Sequence, residues 1–110
     1  MITRSDLSPG MQLAQAVHAG TQFVLEHPEL ARYWEDEWKN LVCLQVPSED
    51  DLLDVLRVLT GTDAPYTYFI EPDLNGEHTS VAALLTETQA KAFKGLKLSL
   101  RASTPKGGVA

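Results

Sequence analysis

The sequence predicts a compact three-layer α/β domain with a mixed, about four-stranded sheet flanked by helices. Three observations carry that expectation. Helix-type and strand-type apolar periods alternate along the first two thirds of the chain. An Asn75-Gly76 turn signal then joins two β-rich runs, as in an antiparallel hairpin. The length of 110 residues is that of one domain, which buries enough apolar surface to fold without a metal or disulfide.

The elements follow in order. Met1 to Arg4 is a short apolar start that reads as the end of a first strand. Ser8 is placed to cap a helix with Pro9 at its first position, and the helical pattern runs to Glu26. His27-Pro28 breaks it, because the residue before proline disfavours the helical region. A second helix is expected from Pro28 to about Trp38, and an apolar strand from Asn40 to Val46. Ser48-Glu49-Asp50-Asp51 opens a third helix with a capping-box spacing, and Gly61 ends it. Tyr66–Glu71 and His78–Leu85 form the hairpin. A last helix starts at Thr86 or Thr88 and reaches Phe93, and Leu96–Leu100 returns to the sheet. The domain spans residues 1–101, and 102–110 reads as a flexible tail.

The first helix carries two stripes. At about 100° per residue, Leu13, Val17, Gly20 and Val24 share one side, the expected sheet-packing face. Met11, Gln15, His18 and Gln22 form a second stripe beside it. Imidazole accepts a proton near neutral pH, and glutamine donates to a carbonyl or phosphate. The plainer alternative is that Gln15 and His18 satisfy buried polar groups at the border of the core.

Composition narrows the functions. Nine basic against fifteen acidic residues give a formal net charge of −6, the wrong sign for a general polyanion binder. Five of the nine basic residues (Lys91, Lys94, Lys97, Arg101, Lys106) cluster in the last twenty positions, as a local basic patch or a solvated face. The single Cys43 cannot form an internal disulfide; within Leu41–Leu44 it is expected to be a buried thiol in a cytoplasmic protein. No segment suits a signal peptide or membrane span. The three histidines lack metal-ligand spacing, and there is no phosphate loop, G-x-S-x-G or C-x-x-C. Trp34 and Trp38, one helical turn apart among acids, either cover the core edge or anchor a protein partner or a homodimer.

Two segments carry a resemblance. Arg4-Ser5-Asp6-Leu7-Ser8-Pro9-Gly10-Met11-Gln12-Leu13-Ala14-Gln15-Ala16-Val17-His18-Ala19 resembles the opening of the type-two peptidyl-tRNA hydrolase family, where R-x-D-L and a glycine precede an A-Q-x-x-H-A helix. Glu71-Pro72-Asp73-Leu74-Asn75-Gly76-Glu77-His78-Thr79 resembles that family's acidic loop leading into a G-x-x-T strand. The resemblance covers roughly residues 1–101. It implies a compact α/β fold and hydrolysis of the ester between a peptide and the tRNA 3′ end, with no metal or organic cofactor. Carried over by position, Gln15, His18, Glu71 and Thr79 become candidate catalytic residues, with Glu71 standing where the family has an aspartate. Asp6 and Met11 become candidate substrate contacts, with Met11 in the place of a family lysine, and Gln22, on the same helix stripe, is a third candidate contact. The resemblance therefore implies tRNA as partner. The alternative function is a non-catalytic binding module of the same fold that has lost the lysine.

Overall fold

The computed structural model describes residues 1–100, so the tail 102–110, Arg101 and Lys106 lie outside the described residues. A short strand, β1 (Ile2–Arg4), sits at the middle of a mixed sheet. The chain then forms α1 (Pro9–Glu26), α2 (Pro28–Glu37), β2 (Leu44–Val46), α3 (Glu49–Thr60), β3 (Tyr66–Glu71), β4 (Glu77–Ala83), α4 (Glu87–Ala90) and β5 (Lys97–Leu98). The sheet order is β3-β4-β1-β2-β5, with β1 and β2 parallel and every other pairing antiparallel. The α/β class holds. The sheet has five strands rather than four, because Lys97–Leu98 pairs with β2 as a short edge.

Local chemistry accounts for the helix starts. Ser8 Oγ accepts from the Met11 amide, and Ser48 Oγ accepts from the Asp51 amide. At α4 the box is reciprocal: Thr86 Oγ1 takes the Gln89 amide, and Gln89 Oε1 takes the Thr86 amide. On one face of the sheet Leu52, Val55 and Leu59 of α3 pack with Ile2, Val46, Val81 and Phe93. On the other, Ala19 and Phe23 of α1 pack with Ala82, Met1, Phe69 and Leu84. Successive strand residues alternate between these two clusters, which gives the three layers.

The face of α1 differs from the expectation. Its buried line is Gln12, Gln15, Ala19 and Phe23, while Leu13, Val17 and Val24 are exposed at 59%, 61% and 51%. The reason lies in the sheet beneath. β3 and β4 present Thr67, Glu71, Thr79 and Ser80 upward, and an apolar stripe laid over them would strand buried hydroxyls. Hydrogen bonding outweighs apolar patterning here, so the helix turns its amides inward.

Three further differences concern the middle of the chain. The second strand is confined to Leu44–Val46, with Leu41 and Val42 exposed before it. Cys43 is consequently half-buried rather than buried. Helix α2 rests on α1 and buries none of its residues. Trp34 is half-buried and donates from Nε1 to the Asn40 carbonyl at 2.8 Å, whereas Trp38 is exposed. No helix among the described residues is long and apolar enough to cross a membrane.

The helix phase is testable by urea unfolding. Phe23→Ala should cost about 3–5 kcal/mol, and Val17→Ser should stay within about 0.5 kcal/mol of the parent. The reverse ranking would contradict the inward amides.

Candidate functional site

The site is organised by a bulge in the hairpin. Phe69 pairs with Ser80 and Ile70 with His78, so Thr79 is an extra residue in β4. Without the bulge, consecutive residues of β4 would point to opposite faces. With it, both hydroxyls reach α1. Thr79 Oγ1 donates to Gln15 Oε1 at 2.7 Å, and Ser80 Oγ donates to the Gln15 backbone carbonyl at 2.6 Å. The turn that sets this register runs through Pro72–Leu74 into Asn75 (φ 56°) and Gly76 (φ 73°), left-handed positions that suit these two residues.

With its oxygen held by Thr79, the Gln15 amide directs Nε2 outward. That nitrogen donates to Glu71 Oε1 at 3.3 Å and approaches Met11 Sδ at 3.7 Å. Gln15 and Thr79 are 1% and 0% exposed, while Glu71 and Met11 are half-buried. A relay thus runs from a buried hydroxyl through a buried amide to a carboxylate that reaches solvent. The remaining stripe continues along β3 in antiparallel order. The His18 ring lies flat on Phe69, with centroids 4.3 Å apart and planes inclined by 4°, and it is exposed. Gln22 Nε2 donates to Thr67 Oγ1 at 3.1 Å and to the Tyr68 carbonyl at 3.2 Å. Gln15, His18 and Gln22 therefore face Glu71, Phe69 and Thr67 in turn.

Six of the seven sequence-derived site residues come together in this way: Met11, Gln15, His18, Gln22, Glu71 and Thr79. Asp6 does not join them. Arg4, itself buried, donates from Nε and Nη2 to the two Asp6 carboxylate oxygens at 3.0 and 2.8 Å. Its Nη1 reaches Glu77 at 2.7 Å and the His78 carbonyl at 3.0 Å. The hydrogen bonds that Arg4 donates hold the Asp6 carboxyl below its ordinary range, and giving them, to Asp6 first and then to Glu77, raises the Arg4 guanidinium further. This ion cluster ties the end of β1 to the start of β4 and so supports the bulge. The described basic residues Lys91, Lys94 and Lys97 are exposed near β5, the sheet edge opposite β3. Four strand spacings make that roughly 19 Å.

Ser80 and Phe69 are the parts of the site that the sequence reading did not single out. Ser80 faces α1 by ordinary alternation with Ala82, and the bulge turns the neighbouring Thr79 to the same side. Among the described residues no group of three His, Cys, Asp or Glu is gathered to hold a metal ion. Neither a family model nor a curated protein matches the chain.

Two measurements check this geometry. Thr79→Val leaves the buried Gln15 oxygen without its donor and should cost about 1–3 kcal/mol in urea unfolding, with Thr79→Ser closer to the parent. For Asp6, a depressed folded-state pKa means stability that is present above about pH 4 and lost as pH falls through the folded value. Asp6→Asn should lower Tm at neutral pH, and the two melting curves should converge as the pH falls through the depressed folded value. A Tm difference that persists in acid would contradict the Arg4 pairing.

Proposed function

We propose that this chain is an ester hydrolase of the peptidyl-tRNA hydrolase type, acting in the cytoplasm with Glu71 as its general base. The observation that carries the reading is the convergence of Met11, Gln15, Glu71 and Thr79. They stand in two segments about sixty residues apart, and the same two segments carry the family resemblance.

In the proposed mechanism a water bound at the solvent-facing side of Glu71 attacks the ester carbonyl. Its proton passes to the Glu71 carboxylate as the carbon–oxygen bond forms. Collapse of the tetrahedral adduct breaks the bond to the ribose oxygen, and that oxygen takes the proton from Glu71. Free tRNA and a peptide carboxylic acid result, and the acid gives up its remaining proton to solvent. Gln15 and Thr79 are buried and committed to each other, so they position Glu71 rather than touch the ester. His18, exposed on its Phe69 platform, contacts the substrate beside the reacting carbonyl. Neither tRNA recognition nor oxyanion stabilisation can use a side-chain cation at Met11.

A second reading, a non-catalytic binding module, is favoured by one specific observation. Met11 Sδ receives part of the Gln15 amide where the resemblance implies a lysine, so the site carries no positive charge of its own. In that reading Trp38, exposed at 59%, anchors a protein partner or a second copy of the chain.

Incubation with peptidyl-tRNA separates the two. The esterase releases free tRNA, and Glu71→Ala or His18→Ala should slow release by about tenfold or more. Met11→Lys should raise the rate. No turnover above background in either the parent or Met11→Lys would overturn the esterase reading, and sedimentation with tryptophan quenching would then test the Trp38 surface.

A further inference from the structure

The outer edge of β3 is a run of backbone groups without strand partners among the described residues. The Leu84 amide donates to the Pro65 carbonyl, and Thr79 Oγ1 approaches the Phe69 carbonyl, so Pro65, Thr67 and Phe69 turn their polar groups toward β4. Alternation directs the N–H and C=O of Tyr66, Tyr68 and Ile70 outward. One of these six groups is taken: Gln22 Nε2 donates to the Tyr68 carbonyl. Natural sheets protect such edges with charges, prolines or a covering segment. This edge, Tyr66-Thr67-Tyr68-Phe69-Ile70, carries no charged residue, and prolines stand only outside it, at 65 and 72. An open depression of about 530 Å³ runs along it, walled by Gln22 and Glu26 of α1 and floored by Tyr66–Ile70. At the C-terminal end of the edge stands Glu71.

We propose that this edge is the peptide subsite of the enzyme: the nascent peptide adds to β3 as a sixth, parallel strand and delivers its C-terminal ester to Glu71. The inference rests on the esterase reading above. Polarity follows from the placement of the base. β3 runs from Tyr66 toward Glu71, so a peptide must run the same way for its carboxyl end to arrive there. Five residues rising about 3.3 Å each match a peptide of about five residues. Recognition is through main-chain hydrogen bonds, which are blind to side chains, as an enzyme acting on nascent chains of any sequence requires. It also accounts for an acidic protein whose Lys91, Lys94 and Lys97 lie at the far edge of the sheet: the peptide, not the nucleic acid, supplies contacts next to the base. On binding, Gln22 yields the Tyr68 carbonyl and keeps Thr67.

The test uses an N-acetylated, C-amidated pentapeptide of β-favouring residues at millimolar concentration with the full chain, observed by amide NMR. Amide exchange at Tyr66, Tyr68 and Ile70 should slow by about tenfold or more, while that of Phe69, already turned toward β4, stays unchanged. A spin label on the peptide N-terminus should broaden Glu26 and Tyr66, and one on its C-terminus Glu71 and Met11. Peptides methylated at alternate backbone nitrogens should bind about tenfold more weakly in one of the two phases, whereas permuted sequences should bind alike. Tyr68→Pro removes an outward N–H without touching the β4 ladder and should abolish binding; the methylated peptides make the same test on the unaltered protein. The proposal is overturned if the three amides do not respond, or if the labels report the opposite polarity. Protection that grows with protein concentration alone would likewise overturn it, by assigning the edge to a second copy of the chain. Peptide binding without turnover would support the subsite and remove only the esterase reading.

Discussion

The buried amide of Gln15 is the interaction on which the rest of this structure depends. Its side-chain oxygen is held by Thr79, its backbone carbonyl by Ser80, and its nitrogen is aimed at Glu71. An amide left unpaired at 1% exposure would cost more than most single apolar contacts return. The bulge in β4, the rotation of α1 and the position of Glu71 are three consequences of satisfying it. The bulge brings two neighbouring hydroxyls to one face. The helix must then present amides there, which turns Leu13 and Val17 to the surface. The remaining Gln15 donor falls beside the carboxylate at the end of β3.

That arrangement links stability to chemistry. The proposed role of Glu71 as a general base requires its carboxylate to be held in one orientation, and a half-buried glutamate at a strand end is otherwise free to rotate. The relay from Thr79 through Gln15 supplies the hold from inside the core, where screening by water is weakest. A second support comes from Arg4, whose ties to Asp6, Glu77 and the His78 carbonyl fix the strand end next to the bulge. Both supports act on the first residues of β4. The exposed edge of β3 on the other side is occupied only by Gln22 among the described residues, and the proposed peptide strand would lie there.

Much of this was legible in the sequence, and what was not has an identifiable cause. Helix starts at Ser8 and Ser48 are local chemistry, and each cap is found where the residues place it; of the two threonines open for the last helix, Thr86 is the cap. The Asn75-Gly76 turn likewise fixes the hairpin. The stripe Gln15–His18–Gln22 was visible as a polar line on an apolar helix. Which line faces the sheet was not, because that depends on hydroxyls from residues 67, 79 and 80, and on a one-residue bulge that no pattern in β4 announces. The reading of Asn40–Val46 as one strand failed for a related reason: Leu41 and Val42 have strand-like side chains, yet they precede the pairing with β1 and stay exposed. Apolar character identified the segment, but pairing partners set its length.

The relay is most directly tested by following the Gln15 side-chain amide protons by NMR in the parent, Glu71→Gln and Thr79→Val. The amide is expected to exchange slowly, to move its resonances when its acceptor is altered in Glu71→Gln, and to broaden in Thr79→Val. An amide that exchanges rapidly, or whose resonances ignore Glu71→Gln, would mean that the buried glutamine does not hold the Glu71 side chain.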